Sequence, residues 1–112
     1  MKDRLTKEES AHLISLRVPK EKATGNYSEI EMFDYPIFTL TDLLEILPKA
    51  VHKDDLAYDY NLELLWQEDM KGWLTTYDAI GDNAGSIFEI ELIDALYRLL
   101  CQIIENGYLK FE

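Results

Sequence analysis

A chain of 112 residues, 47% apolar and 29% charged, has the composition of one globular domain spanning 1–112 and is too short for two ordinary ones. Its apolar runs are only a few residues long, which excludes a helical membrane span of ~20 residues, and the single Cys101 excludes an internal disulfide or a cysteine-based zinc site. Eleven Lys and Arg against 22 Asp and Glu leave a net charge of −11, a field that repels phosphate backbones, so no direct nucleic-acid binding is expected.

The first element reads as a short amphipathic helix. Thr6-Lys7-Glu8-Glu9 matches a capping box, in which hydroxyl and carboxylate each satisfy a free backbone N–H. Ala11, Leu13, Ile14 and Val18 supply apolar contacts, and Pro19 ends the helix near Leu16 or Arg17, because a residue before proline disfavours α geometry. Pro19 to Ala23 suits one further turn with proline leading it. Ile30 and Met32 alternate with Glu29 and Glu31 as in a short edge strand, which Tyr35-Pro36 is expected to end.

Thr39 with Asp42 is a second cap, ahead of Leu40, Leu43, Leu44 and Leu47 on one helical face, and Pro48 stops the helix. After the polar stretch Lys49–Asp55 the period changes to two. Tyr58, Tyr60, Leu62, Leu64 and Trp66 share one side of a half-buried strand, and Ala57, Asp59, Asn61, Glu63 and Gln67 fall mostly on the other. Glu68–Gly72 is a turn and Trp73–Tyr77 a second strand, making an aromatic hairpin that needs a third strand or a helix against it. Ser86 with Glu89 offers a third helix cap, unless Ile87-Phe88 is strand and the helix starts near Glu91. From Leu92 to Ile104 only Asp94, Arg98 and Gln102 interrupt the apolar positions, and Asp94 with Arg98 has favourable i, i+4 spacing. Asn106-Gly107 supplies the stop, and Tyr108–Phe111 is a final short strand or a tail packed on the core. The expected fold class is α+β: an antiparallel aromatic β-hairpin of two to three strands packed against a long C-terminal helix and short N-terminal helices.

Two stretches carry a resemblance. Phe38-Thr39-Leu40-Thr41-Asp42-Leu43-Leu44-Glu45-Ile46-Leu47-Pro48-Lys49, and Leu92-Ile93-Asp94-Ala95-Leu96-Tyr97 continuing to Ile104-Glu105-Asn106-Gly107-Tyr108, resemble small uncharacterised proteins of gut anaerobic bacteria, often carried in prophages and other integrated elements. The group has no assigned activity, so no residue role transfers. The resemblance implies a bacterial mobile-element context.

Patterns that could carry chemistry have structural explanations. Gly81–Ser86 lacks the spacing and the lysine of a phosphate loop, and as a calcium loop it would put Ile80 where a carboxylate is required. Asp82, Asn83 and Ser86 read instead as turn formers and a helix cap. His12 and His52 have no zinc-ligand spacing and read as surface or half-buried structural residues. Cys101 falls within the apolar pattern of the last helix, as an inert buried thiol. Asp59, Glu63, Glu89, Glu91 and Asp94 read as solvated or helix-capping acids rather than a catalytic pair. Tyr58, Tyr60, Trp66, Trp73 and Tyr77 have only Lys71 as a nearby base, which favours core packing over nucleotide stacking. No catalytic, metal or cofactor site is expected.

Charge is uneven. Residues 1–24 carry six bases and four acids, net +2, whereas residues 25–112 carry five bases and eighteen acids, net −13. With no secretory apolar segment at Met1–Glu9, the expected role is a small acidic cytoplasmic factor acting by contact with a protein partner. DNA mimicry or toxin neutralisation is the alternative for so acidic a surface, and an unrecognised hydrolase would need a concave polar pocket. The last helix is apolar over more of its circumference than one sheet face requires: either it is sandwiched between the hairpin and the N-terminal helices, or one side meets another chain, with Ile93, Tyr97 and Cys101 as the candidates for self-association, giving a monomer or a weak homodimer.

Overall fold

In the computed structural model, residues 2–30, 33–52, 59–79 and 81–111 are described. The Thr6 hydroxyl accepts the Glu9 N–H at 3.1 Å and the Glu9 carboxylate accepts the Thr6 N–H at 2.9 Å, so the expected box opens helix α1 (Lys7–Ser15). Its C-terminus closes on Arg17 in the left-handed region (φ 74). The Arg17 N–H reaches the Ile14 carbonyl at 2.9 Å and the Val18 N–H the Leu13 carbonyl at 3.1 Å, a Schellman pattern whose apolar pair, Leu13 and Val18, is buried in the core. Pro19 then leads into a single 3₁₀ turn, Lys20–Lys22.

Strands β1 (Gly25–Ile30) and β2 (Phe33–Ile37) form a two-stranded antiparallel ribbon. Pro36 lies inside β2 opposite Asn26, which corrects the expectation that Tyr35-Pro36 ends the strand. Both strands of a ribbon are edges, where a missing N–H is tolerated. Met32 lies outside the described residues. The chain start pairs with the segment after the ribbon: the Leu5 N–H bonds the Phe38 carbonyl and the Leu40 N–H the Asp3 carbonyl, both at 2.9 Å.

Helix α2 (Leu40–Ile46) begins on the second expected box, Thr39 with Asp42. The Asp42 carboxylate, 2% exposed, also accepts the Thr24 N–H at 2.8 Å and the Thr24 hydroxyl at 2.9 Å. This inward pull rolls the helix, so Leu43, Ile46 and Leu47 are buried and Leu44, expected on that face, is 40% exposed.

The hairpin is larger than expected. Strands β3 (Ala50–His52), β4 (Asp59–Gln67), β5 (Gly72–Ala79) and β6 (Asp82–Glu89) make a four-stranded antiparallel sheet in that order. β3 hides in the polar stretch because only Val51 of its three residues is buried. Gly81 (φ 76) makes the turn, and Asp82, Asn83 and Ser86 lie in β6 instead of forming turn and cap. Helix α3 (Leu92–Glu105) therefore starts behind Glu91, with no side-chain cap. It packs on β5 and β6 and against α2. A Cβ at Gly85 would lie 3.2 Å from Leu99 and 2.7 Å from Gln102, so this glycine sets how closely the helix approaches. The Gln102 amide oxygen in turn accepts the Ser86 N–H at 3.2 Å. Asp94 and Arg98 do not pair with each other: Asp94 accepts from Lys2 at 2.7 Å and Arg98 lies 3.4 Å from Glu89. Gly107 (φ 81) closes α3, and Tyr108–Phe111 is a tail partly buried against the core. Tyr58 lies outside the described residues. Among those described, no helix is long and apolar enough to cross a membrane.

Replacing Asp42 by Ala removes one half of a helix cap and strands the Thr24 and Thr39 donors; urea denaturation should show a loss of about 2–4 kcal/mol at an unchanged m value. Arg17→Gly should act the other way. Relieving the left-handed residue should stabilise by about 0.5–1 kcal/mol, raising the calorimetric Tm by roughly 3–6 °C.

Candidate functional site

The residues singled out on α3 separate in the structure. Ile93 is fully buried within the chain, a correction to its placement on an outward face, because it packs into the core with Leu96 and Leu100. Tyr97 and Cys101 are half-buried and, with His12, Ile87, Arg98, Gln102 and Glu105, line a depression of about 330 Å³. The His12 and Tyr97 rings meet edge to face, centroids 6.2 Å apart. Burial, with Glu105 and Glu9 adding repulsion, pushes the Cys101 thiol up to about 11 against a smaller opposing hydrogen bond from Tyr97. Burial also raises the Tyr97 phenol. The thiol is thus neutral at physiological pH.

The acids are scattered. Asp59 lies 2.8 Å from His52, both exposed; Glu89 faces Arg98; Glu91 accepts the Lys2 N–H at 3.3 Å. The Lys2 ammonium joins Glu9 at 3.1 Å and Asp94 at 2.7 Å. Burial alone would lower its pKa, but those two carboxylates raise it overall. Among the described residues, no three His, Cys, Asp or Glu side chains group to hold a metal ion.

The aromatic residues divide along the hairpin. Tyr60 and Tyr77 are fully buried, and the Tyr77 hydroxyl, its pKa raised by burial, donates to the Pro48 carbonyl at 2.7 Å. Trp66 is 47% exposed, contrary to its expected core position. The register explains the difference. Thr75 contacts the Ala95 carbonyl of α3 at 3.4 Å, whereas the Trp66–Trp73 pair lies one inward-facing row further toward the turn and, on β4, to the side of the helix. The two indoles pack edge to face at 5.5 Å. Leu65 (42% exposed) and Met70 (56%) complete an apolar end to the hairpin. In sequence, the unbroken Leu64-Leu65-Trp66 run, which puts a leucine on the wet side of an alternating strand, was the available signal.

This end is negatively charged. Glu63 and Asp69 are exposed, and Glu68 is held below the usual carboxylate range by hydrogen bonds from Lys71 and from the Trp66 indole, the latter at 2.7 Å. Lys71, the one base between positions 59 and 79, is therefore already engaged by Glu68. This end therefore presents exposed indole, leucine and methionine side chains beside the carboxylates of Glu63, Glu68 and Asp69. Comparison with protein families, with curated proteins and with solved structures returns no match.

The Cys101 environment predicts slow alkylation. With iodoacetamide, the rate on the folded protein should climb about tenfold per pH unit from 7 to 10, with no plateau at the ordinary thiol value of 9.0. A plateau at or below that value would show an accessible thiolate.

Proposed function

We propose that the chain is a cytoplasmic, protein-binding accessory factor of a bacterial mobile element, and that it docks through the acidic, apolar end of the β4–β5 hairpin. One observation carries this reading: the Trp66 indole stands exposed on one face of the hairpin end, with Leu65 exposed on the opposite face and Met70 exposed at the turn. Scattered apolar residues need no explanation, but an exposed tryptophan is the kind of anchor that dominates protein interfaces, and Leu65 and Met70 add apolar surface at the same end of the hairpin. The ring of carboxylates favours a basic partner and disfavours nucleic acid. The mobile-element setting rests on the resemblance of the leucine-rich and C-terminal helices.

The test is affinity capture from lysates of gut anaerobes by the wild-type chain, by Trp66→Ala and by Leu44→Ser, the last an exposed leucine on α2. A saturable protein should be retained by the wild type and by Leu44→Ser, with a loss of about 2 kcal/mol or more for Trp66→Ala. Absence of any saturable protein overturns the proposal. Equal retention by Trp66→Ala, abolished by salt, would replace it with carboxylate-based DNA mimicry.

A further inference from the structure

The hairpin end has a second feature, an unfinished sheet edge. β3 pairs with β4 only at Asp59, Tyr60 and Asn61, and the last bond on that side runs from the Leu62 N–H to the Lys49 carbonyl at 2.9 Å. Backbone groups alternate sides along an antiparallel strand, so those of Leu64 and Trp66 point the same way as Leu62, away from β5. Among the described residues, nothing pairs with them. The open strip, Glu63–Gln67, is roughly 17 Å long at strand spacing. It is flanked by half-buried Leu64 and exposed Trp66 on one face, and by exposed Glu63 and Leu65 on the other.

We infer that this strip is a strand-addition site for an extended, basic segment of the partner protein, which adds beside β4 in line with β3. The inference rests on the docking surface proposed above and names what that surface recognises. Three observations select the occupant. Free N–H and C=O groups in strand register specify an extended backbone, as in other β-augmentation sites. The alternation of Leu64 and Trp66 with Glu63 and Leu65 calls for apolar side chains on one face of the incoming strand and a base opposite Glu63. The surrounding charge, with Glu68 and Asp69 at the turn and Lys71 already engaged, attracts lysine or arginine and opposes a second copy of this acidic chain.

The protein carries its own reporter, because its two tryptophans, Trp66 and Trp73, both lie at the strip. The probe is a capped peptide of about seven residues alternating Lys and Val, which spans the strip, titrated against the full chain by tryptophan fluorescence. Saturable binding that weakens with salt is expected, with none from the Glu-Val counterpart. Two N-methylated versions of the peptide, blocked at alternate residues in the two possible phases, distinguish strand pairing from simple adhesion. One phase should lose roughly tenfold or more in affinity and the other should bind nearly as well. Leu64→Pro should weaken binding similarly while keeping the fold, since its N–H faces away from β5.

Equal binding by both methylated phases overturns the inference while leaving a docking role for Trp66 intact. Absence of saturable binding overturns it as well. So does light scattering that shows a dimer without peptide which Leu64→Pro converts to monomer, because a second copy would then be the occupant. Loss of Trp66-dependent capture from lysate is the separate result that removes the docking function itself.

Discussion

Packing α3 across β5 and β6 removes Leu96, Leu99, Leu100 and Ile103 from water together, each side chain worth about 1.5–3 kcal/mol. The rest of the molecule is tied to that helix. Lys2 bonds Asp94 near its N-terminus, His12 of α1 meets Tyr97 along its length, Gln102 caps the outer edge of β6, and α2 packs beside it. A helix of fourteen residues is shorter than the eight-residue strands beneath it, about 21 Å against about 26 Å. It sits over the later strands, so the far end of β4 is left to solvent. The exposed tryptophan is a consequence of that placement, and the open edge follows from β3, which pairs with β4 over three residues only.

The helices were legible because their signals are local. The Thr6–Glu9 and Thr39–Asp42 boxes act over three residues, and each forms as its spacing requires. Even so, the tertiary partner of Asp42 was invisible, since nothing in sequence ties Thr24 to a helix eighteen residues on, and that bond rotates the buried face from Leu44 to Ile46. Strands were harder. β4 and β5 show alternation, but β3 is three residues long with one buried, and β6 contains Asn83, Gly85 and Ser86, residues of low strand propensity. Gly85 is present because α3 passes closely over it, a requirement of packing that local propensity reads as a turn.

The candidate surface was only partly legible for a related reason. Alternation places Trp66 on the inward side of β4 correctly, but how far a covering helix reaches depends on the register between β4, β5 and β6 and on the length of the link before Leu92. The same holds for α3. Counting its apolar positions points to a second interface, yet Ile93 is consumed by the core and the remaining half-buried residues, Tyr97 and Cys101, line a depression shared with His12 and Glu105.

An apolar edge strand left open is ordinarily a route to self-association, and proteins that keep one need a device against it. Charge supplies such a device here. Two copies meeting edge to edge along β4 would bring Glu63, Glu68 and Asp69 of both chains together while each chain carries a net −11. The chain's excess bases lie elsewhere, in the segment from 1 to 24, where Lys2 is already committed to Glu9 and Asp94. On the proposed docking, the same carboxylates that would hold like chains apart would draw in a strand of opposite charge, so that solubility and selectivity would come from one set of residues. Neutralising them should therefore change both together: Glu63→Gln combined with Asp69→Asn ought to weaken capture of a basic strand and promote concentration-dependent association of the protein with itself.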